Sequence, residues 1–496
     1  MKLESLLNKF FEYDRFRPGQ KEVINSVLNG KHTLAMLPTG TGKSLCFHLP
    51  GYVLEGHVLI VSPLLSLMQD QVEQMKMQGE KRVIAINSFL SYRERQLAFF
   101  NIKKYKYIFI SPEMLRVDKV ILLLQELTIS LYVIDEAHCI SQWGYDFRPD
   151  YLKLGEIREK LNDPVTLALT ATATKEVRQD IMNNLGIGDW EEIVYSVDRP
   201  NISIVVEKIP NHNLKLERLY EIIKDLNGPG IVYFSSKRLA ERTVTFLQAQ
   251  GMRKVNAYHG GMDQEQRILV QQQFINGQLD IICATSAFGM GINKENIRFI
   301  IHYHLPLQIE SYLQEIGRAG RDGGKAIAIL LYAPGDEALA YQLSEGELPA
   351  KEQIDMLASL FKETNLKSFS FNGNEEWRSR AGLSEVQWRI VMTYLNMTDS
   401  QIEDPITALK NFIETRLAYK RSKISLMMEL IHSESCRRKT IINYFGEEAN
   451  LETQIENCCD CCGIDKNIFI KKTLEQQEEY ENFQWKSYLS AILLNK

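Results

Sequence analysis

Short apolar runs separated by amphipathic stretches recur along the first two thirds of the chain. The runs are rich in β-branched residues, and the stretches between them carry apolar positions at helical spacing. Six runs form a first series, at residues 32–37, 57–62, 82–87, 107–111, 131–135 and 166–170. Five form a second series, at residues 231–234, 255–258, 280–284, 298–302 and 326–332. This alternation is typical of parallel sheets covered by helices, so we expect an α/β protein with two tandem lobes.

The rest of the pattern predicts further divisions of the chain. We place the boundary between the lobes at the segment 203–210. Beyond Gly335 the strand pattern stops, and residues 348–431 favour helices interrupted by a polar stretch at 368–374. A mainly helical, cysteine-bearing region and a short charged tail therefore follow the lobes. The predicted parts are residues 1–205, 206–340, 341–466 and 467–496.

Composition places the chain among globular proteins. Its 496 residues exceed one ordinary core, 45% are hydrophobic and 24% are charged. No apolar run approaches the roughly 18 residues of a membrane span, and Glu4 and Lys9 interrupt the N-terminus where an export signal is apolar. We therefore expect a cytoplasmic monomer with no membrane partner. The net charge of −5 implies that any contact with nucleic acid is local.

A glycine-rich turn predicts a phosphate site in the first lobe. The turn reads Pro38, Thr39, Gly40, Thr41, Gly42, Lys43 and Ser44. Leu37 stands where the strict eight-residue pattern has glycine, so the strand before the turn and the helix after it carry the prediction. In that context backbone N–H groups and a helix N-terminus face one anion. We expect Lys43 to contact the β- and γ-phosphates of a nucleotide and Ser44 to bind Mg²⁺.

Two carboxylates follow a strand of the first series. Asp135 and Glu136 come after four apolar residues, at the carboxyl end of a strand, where parallel sheets bind ligands. We predict that Asp135 holds the same Mg²⁺ and that Glu136 is the base for the attacking water. A solvated turn is the alternative. Together with the glycine-rich turn, the pair implies hydrolysis of a nucleoside triphosphate.

The second lobe has no Gly-Lys-Ser turn but carries two arginines bracketed by glycines. Arg318 and Arg321 lie in the segment 314–323, where neighbouring glycines let the backbone approach a partner. Guanidinium groups suit a γ-phosphate. We predict that both arginines reach across a cleft to the nucleotide and that hydrolysis reopens the cleft. Taken alone, the motif fits a solvated loop equally well.

The order of these motifs resembles superfamily 2 helicases of the RecQ family. The resemblance also rests on the segments 16–20, 169–173, 287–294 and, most specifically, 139–151, which is an aromatic-rich loop. It covers residues 10 to about 335 and resumes at Cys436. It implies an ATP-dependent DNA helicase that moves 3′ to 5′ on single-stranded DNA. Such an enzyme would act in repair and recombination and would be nucleoid-associated.

The resemblance implies roles for individual residues. It places Tyr13 and Arg17 against the faces of adenine and Gln20 on its edge. It also implies a set of residues that couple DNA binding to the ATP site: His138, Gln142, Trp143, Phe147, Arg148, Thr170 and Thr172. The aromatic members make physical sense unaided, because aromatic and guanidinium surfaces stack on bases of any sequence.

Eight cysteines include four within residues 458–462. In a chain without an export signal such clustering favours zinc over disulfides, since structural zinc takes four thiolates. The segments around Cys436 and Cys462 resemble the start and the end of the RecQ zinc-binding region. Glu456 stands where many relatives carry the second ligand, so Cys458 is the predicted substitute and Cys461 the competing choice. The predicted ligands are Cys436, Cys458, Cys459 and Cys462.

Two departures from the family pattern accompany these expectations. Residues 345–405 exceed the usual link to the zinc region, and they fit either a small winged-helix-like insertion or a plain helical spacer. After Gly463 too few residues remain for the winged-helix and helical domains that many relatives append.

The main hypothesis is a helicase that uses ATP, Mg²⁺ and Zn²⁺ and acts on single-stranded and partly duplex DNA. Single-strand-binding protein and other repair factors are the expected protein partners. One alternative is a DNA-stimulated translocase or remodeller with weak strand separation. The other is a nucleic-acid-binding scaffold whose ATPase is vestigial.

Overall fold

The computed structural model describes most of the chain as two parallel sheets followed by helices. The described residues are 3–63, 65–87, 90–141, 148–289, 294–364, 375–397, 405–447 and 455–471. They form two compact units. The first comprises Met1–Arg199, Leu305–Gly317 and Gly335–Leu451, and the second comprises Pro200–His304, Arg318–Pro334 and Glu452–Lys496.

The first unit contains a sheet of seven parallel strands. They are β1 (Thr33–Met36), β2 (His57–Val61), β3 (Val83–Ile86), β4 (Tyr107–Ile110), β5 (Ile129–Ile134), β6 (Thr166–Thr170) and β7 (Glu191–Val194). Their order is β3-β4-β2-β5-β6-β1-β7. The central strands are buried on both faces, which explains their continuous apolar sequences. The carboxyl ends of β1, β5 and β6, which are neighbours in this order, therefore meet at one edge.

Helices follow the strands of this sheet. They are α1 (Leu3–Phe11), α2 (Gln20–Leu28), α3 (Leu45–Val53), α4 (Leu65–Met77), α5 (Tyr92–Phe100), α6 (Asp118–Gln125), α7 (Leu154–Lys160) and α8 (Lys175–Leu185). Side chains fix several ends: Ser91 and Glu94 form a capping box at α5, and Thr174 caps α8. Among the described residues, no helix combines the length and apolar character needed to cross a bilayer.

The second unit contains a sheet of six parallel strands. They are β8 (Ile202–Lys208), β9 (Gly230–Tyr233), β10 (Val255–Tyr258), β11 (Ile281–Ala284), β12 (Phe299–His302) and β13 (Ala326–Tyr332). Their order is β10-β11-β9-β12-β13-β8. The accompanying helices are α9 (Lys215–Asp225), α10 (Lys237–Ala249) and α11 (Gln264–Ile275). The core includes Leu219, Val232 and Ile301, each with no exposed surface.

All eleven predicted strands are present, and the structure adds β7 and β8. The segment 203–210, expected to divide the lobes, contains most of β8, which pairs with β13 over seven residues. Pro200 and Pro210 flank this strand and gave the segment the character of a linker. The contact boundary lies at Arg199.

Helices make up most of the described region beyond the second sheet. Between β12 and β13 the chain forms α12 (Ile309–Ile316), which belongs to the first unit. The later helices are α13 (Asp336–Gly346), α14 (Lys351–Thr364), α15 (Glu375–Arg380), α16 (Glu385–Met397), α17 (Pro405–His432) and α18 (Arg437–Tyr444).

Helices α14 to α17 share a core of their own, which includes Leu357, Trp377 and Leu409. The described residues within 345–405 contain helices and turns and no strand. The choice between a helical spacer and a winged-helix-like insertion stays a prediction. The polar stretch 368–374 and the tail beyond residue 471 lie outside the described residues.

Candidate nucleotide, nucleic-acid and zinc sites

The glycine-rich turn lies between β1 and α3, as the sequence predicted. Gly40 and Gly42 have φ angles of 85° and 73°, which L side chains rarely adopt. Leu37 is fully buried and its N–H donates to Thr170 O at 3.1 Å, so it belongs to the core rather than to the turn. This explains how leucine is accepted where the strict pattern has glycine. Ser44 directly precedes α3.

Side chains bind the carbonyl side of this turn. Thr41 Oγ1 donates to Pro38 O at 2.7 Å, and Arg17 Nη1 donates to Gly40 O. Gln20 Nε2 donates to Thr41 O at 2.7 Å and to Gly42 O at 3.0 Å. The backbone N–H groups of Gly40, Gly42, Lys43 and Ser44 donate to no backbone carbonyl of the described chain. Because side-chain donors bind the carbonyl oxygens of the turn, its backbone N–H groups are available to bind an anion on the opposite side.

The three residues predicted to bind adenine occupy distinct positions. Gln20 is buried, and its Oε1 accepts from the Arg17 N–H at 2.8 Å, so both ends of its amide have partners. The Arg17 guanidinium contacts the turn. Tyr13 is 55% exposed. Their contacts with adenine stay a prediction. The structure shows a different contact for two of them, because Arg17 and Gln20 bind carbonyls of the phosphate turn.

Asp135 and Glu136 follow β5 directly. The Asp135 N–H donates to Val61 O at 2.9 Å, and Asp135 Oδ1 accepts from the Glu136 N–H at 3.0 Å. Glu136 has a φ of 50°, in the left-handed region that a non-glycine residue seldom adopts. Such outliers cluster at functional sites.

A chain of polar contacts leads from Glu136 to two threonines. Glu136 Oε2 lies 3.4 Å from His138 Nδ1, which lies 3.0 Å from Thr170 Oγ1. Thr170 Oγ1 donates to Thr172 O at 3.3 Å. Three residues predicted to couple DNA binding to ATP are therefore connected to the predicted base within the first unit.

Burial dominates the electrostatics of this site. It raises the pKa of Asp135, and the Lys43 ammonium opposes that shift. Burial, with a smaller contribution from the Lys43 and Arg148 cations, lowers the pKa of His138 to about 3. His138 is thus neutral at pH 7, so its 3.4 Å contact with Glu136 Oε2 is not an ion pair. The hydroxyl of Ser44 and the carboxylate of Asp135 are oxygen donors of the kind that Mg²⁺ prefers.

The predicted aromatic loop is described only at its edges. Residues 142–147, which include Gln142, Trp143 and Phe147, lie outside the described residues. Arg148 is described, and its Nη1 donates to Pro63 O at 2.7 Å, beside the end of β2. Tyr151, which sequence reasoning did not single out, donates its hydroxyl to Asp135 O at 3.2 Å. The end of the loop thus contacts the backbone of the predicted catalytic pair.

The arginine motif lies in the second unit. Arg318 is buried and its Nη1 donates to Gly289 O, whereas Arg321 is partly exposed. Gly320 has a φ of 55°. Residues 290–293 of the neighbouring motif lie outside the described residues. The reach of Arg318 and Arg321 to a nucleotide stays a prediction.

Sequence reasoning missed Arg199, whose Nη1 donates to the carbonyl of Thr39 in the phosphate turn at 3.0 Å. No motif marks this arginine in the sequence. Its acceptor is a backbone carbonyl, which every residue has, so the contact leaves no signature in residue types.

The four predicted zinc ligands form one group. The sulfur atoms of Cys436, Cys458, Cys459 and Cys462 all lie within 4.8 Å of one another, and those of Cys459 and Cys462 are 3.5 Å apart. Cys461 is exposed and groups instead with Cys459 and Asp460. Tetrahedral zinc with Zn–S bonds of about 2.3 Å separates its sulfurs by about 3.8 Å. Four thiols at these distances fit a structural zinc ion.

Comparisons with known proteins agree with this arrangement. Residues 17–180 match the family model of DEAD/DEAH box helicases, residues 214–323 that of the helicase conserved C-terminal domain, and residues 400–463 that of the RecQ zinc-binding region.

Three curated relatives illustrate the similarity. The chain is 43% identical over 496 residues to the probable ATP-dependent DNA helicase RecS of Bacillus subtilis, covering 99% of this chain and 98% of that protein. It is 40% identical to the ATP-dependent DNA helicase RecQ of Haemophilus influenzae, covering 92% and 63%. It is 34% identical to a mimivirus protein named as a putative ATP-dependent RNA helicase, covering 96% and 75%.

Solved structures share the fold at low sequence identity. The helicase MrfA bound to DNA matches with a TM-score of 0.57 and 19% identity, covering 74% of this chain and 54% of MrfA. The Mycobacterium smegmatis helicase Lhr matches with a TM-score of 0.54 and 21% identity, covering 76% and 55%. Three findings agree: 43% identity to RecS over nearly the full length of both chains, the three matching family models, and the four-cysteine group. The chain therefore belongs to the RecQ family of superfamily 2 ATP-dependent DNA helicases.

Proposed function

We propose that this chain hydrolyses ATP at the turn after β1 and uses the energy to move 3′ to 5′ on single-stranded DNA and to separate duplex DNA. The observation that carries the proposal is the phosphate turn. Its carbonyls are bound by Arg17, Gln20 and Thr41, which leaves its N–H groups facing a ligand site. Preorganised N–H groups beside a lysine suit the negative charge of a triphosphate. An ordinary surface turn, whose N–H groups are not oriented together, would not bind it.

The proposed roles in hydrolysis follow from the position of each side chain. Lys43 binds the β- and γ-phosphates, and the buried Glu136 orients and deprotonates the attacking water. Ser44 and Asp135 hold Mg²⁺, which would neutralise charge on the phosphates when bound. Arg318 and Arg321 supply positive charge to the γ-phosphate. Tyr13, Arg17 and Gln20 select adenine, while the turn itself binds the phosphates.

The polar contacts from Glu136 through His138 to Thr170 and Thr172 support coupling to DNA. They give a conformational change at the nucleic acid a physical route to the predicted base. Gln142, Trp143, Phe147 and Arg148 would sense the strand, with the aromatic rings stacking on bases. The zinc ion, held by the four-cysteine group, would serve folding rather than chemistry. Repair of DNA in the cytoplasm, beside single-strand-binding protein, is the proposed setting.

DNA as the substrate is supported by the names of the RecS and RecQ relatives, and RNA by that of the mimivirus relative. ATPase assays on single-stranded DNA and on RNA of the same length test the choice. We expect DNA to stimulate turnover several-fold more than RNA. Stronger stimulation by RNA would reject the proposed substrate.

A substitution in the aromatic loop tests the coupling. Trp143→Ala should lower the DNA-stimulated rate several-fold and leave the basal rate nearly unchanged, because stacking acts only when a strand is bound. Tyr92→Ala, which removes a 78% exposed ring on α5, is the matched control and should change neither rate. An equal loss of both rates in Trp143→Ala would count against a sensing role.

A further inference from the structure

Arg199 contacts two segments of the first unit that are distant in sequence. Its Nη1 donates to Thr39 O at 3.0 Å and to Gly317 O at 3.1 Å. Thr39 belongs to the phosphate turn, and Gly317 directly precedes Arg318 in the chain. One guanidinium nitrogen therefore joins the backbone of the phosphate turn to the backbone beside the arginine motif.

The two segments approach each other closely at Gly317. A Cβ atom at this position would lie 1.9 Å from Thr39 Oγ1 and 3.0 Å from Leu313 O. The φ of Gly317 is −62°, which any residue can adopt, so glycine is required for space rather than for backbone conformation. The bridge made by Arg199 therefore spans a packed contact and not a loose surface.

Arg199 is itself held by residues around α18. Arg438, the second residue of that helix, is only 4% exposed and donates through Nη1 to Arg199 O at 3.0 Å. The same guanidinium pairs with Asp198. Glu447 Oε1 accepts from the Val197 N–H at 3.0 Å. The segment 197–199 is therefore held by residues within and just after α18, the helix that follows Cys436.

A restrained carbonyl at Thr39 matters because glycine follows it. Gly40 tolerates both backbone hands, so the peptide between Thr39 and Gly40 can rotate unless its carbonyl has a partner. Rotation would turn the Gly40 N–H away from the phosphates. Among the described residues only Arg199 donates to Thr39 O. Arg17 and Gln20 hold the following three carbonyls.

We propose that Arg199 is a positioning residue for ATP turnover and that Arg438 acts through it. Arg199 fixes the orientation of the Thr39–Gly40 peptide and the distance between the phosphate turn and Gly317. Arg438 fixes Arg199. The inference rests on the proposed binding of ATP at this turn.

The test compares Arg199→Ala and Arg199→Lys with Arg389→Ala, which removes an exposed ion pair on α16. We expect Arg199→Ala to lower kcat for ATP roughly tenfold or more, because small displacements of reacting groups are costly. Lysine keeps the positive charge but lacks the rigid, planar guanidinium that fixes the direction of each N–H, so Arg199→Lys should be intermediate. Arg389→Ala should behave as wild type.

Amide hydrogen exchange of residues 39–44, measured with a non-hydrolysable ATP analogue bound, gives a readout that does not depend on turnover. Faster exchange is expected in Arg199→Ala, with the zinc content and the melting temperature near those of wild type. Arg438→Gln should change kcat and exchange in the same direction. The double variant should be no worse than Arg199→Ala, because both residues act on one contact.

Two outcomes separate failure of this inference from failure of the proposed function. If Lys43→Ala abolishes ATP turnover but Arg199→Ala and Arg199→Lys keep wild-type kcat and exchange, the inference is overturned. If wild-type turnover does not depend on Lys43, the proposed function fails first. Additive losses in the double variant would overturn the link through Arg438.

Discussion

The two sheets share the order of six strands but differ in the turn that follows the first strand of each. Without β7, the first sheet runs β3-β4-β2-β5-β6-β1, and the second runs β10-β11-β9-β12-β13-β8. The strand β8 therefore stands where β1 stands. After β1 comes the glycine-rich phosphate turn, and after β8 come Ile209 and Pro210. The strand order determines where a phosphate-binding turn can lie in such a sheet. Only the local sequence of that turn determines whether it can bind phosphate.

The turn after β8 has little to offer an anion. The Ile209 N–H is used by Tyr332 O at 2.7 Å, and Pro210 has no N–H to donate. Asn211 Oδ1 accepts from the Asn213 N–H at 3.0 Å. Arg218, a nearby cation on α9, is paired with Glu207 and Glu221. These backbone and guanidinium donors are therefore missing or already committed.

The outer edges of the two equivalent strands also differ. The strand β1 is covered by β7, whereas β8 is bridged by the cysteine loop, which comprises residues 458–462. The Ile204 N–H donates to Cys458 O at 3.2 Å, and the Asp460 N–H donates to Ile204 O at 3.1 Å. The cysteine loop thus takes the place that a seventh strand has in the first sheet.

The largest expected effect distinguishes the two turns. Lys43→Ala should abolish ATP turnover, a loss of at least about a hundredfold, because it removes the cation that binds the phosphates. Lys208→Ala, at the exposed end of β8, should leave turnover unchanged. Steady-state ATPase assays measure both, and DNA binding should survive in each variant. Normal turnover in Lys43→Ala would break the comparison at its base.

The next effect concerns the cysteine loop on β8. Cys459→Ser removes a buried thiol of the four-cysteine group and should lower bound zinc to below half an ion per chain. It should also destabilise the protein by several kcal/mol, since a structural zinc contributes directly to folding. Cys461→Ser, outside that group, should keep about one zinc. Loss of zinc in Cys461→Ser as well would make Cys461 a ligand.

A third test uses the helices that connect equivalent strands, α7 after β5 and α12 after β12. In α12, Glu310 is buried and its Oε1 lies 2.6 Å from Lys423 Nζ; although burial opposes it, this carboxylate raises the pKa of Lys423. Glu310→Ala leaves the ammonium buried without its partner and should cost about 3 kcal/mol. Glu156→Ala, exposed on α7, should cost less than about 0.5 kcal/mol. Denaturant titration compares the two, and equal losses would contradict the assigned role of Glu310.

The smallest effect is a pH dependence near the phosphate turn. His48 on α3 is buried, and burial lowers its pKa to about 3. Below pH of about 6.5 the unfolded chain protonates this histidine while the folded chain does not, so stability falls as pH falls.

Between pH 6.5 and 5 this histidine should contribute about 1 kcal/mol of lost stability per pH unit. His48→Gln should flatten that slope, measured as the melting temperature against pH. His212→Gln, exposed in the turn after β8, is the control and should retain the wild-type slope. An unchanged slope in His48→Gln would show that other groups cause the acid sensitivity.

The fold was predictable from the sequence wherever a strand is buried on both faces, because such a strand has a continuous apolar sequence. Sequence reasoning missed β7, because Glu191 and Glu192 belong to a half-exposed edge strand, and β8, because prolines flank it. The fold class and the motif positions were predictable since parallel strands and glycine turns have strong local signatures.

The contacts within the site were less predictable. Arg199 lies 160 positions from Thr39 and 118 from Gly317, and in these two contacts the acceptor is a backbone carbonyl. The choice of Cys458 over Cys461 depends on the path of the loop. Asn457 adopts a φ of 56°, and Cys458 O is held by Ile204, neither of which is visible in residue types.

Strand displacement on 3′-tailed and 5′-tailed duplexes, with ATP and with a non-hydrolysable analogue, tests the central claim most directly. The account predicts displacement by the wild-type protein on the 3′-tailed duplex with ATP alone and none by Lys43→Ala. Strong DNA-stimulated hydrolysis without displacement on either duplex would favour the translocase alternative. Displacement that persists with the analogue or in Lys43→Ala would contradict the claim that hydrolysis at this turn drives unwinding.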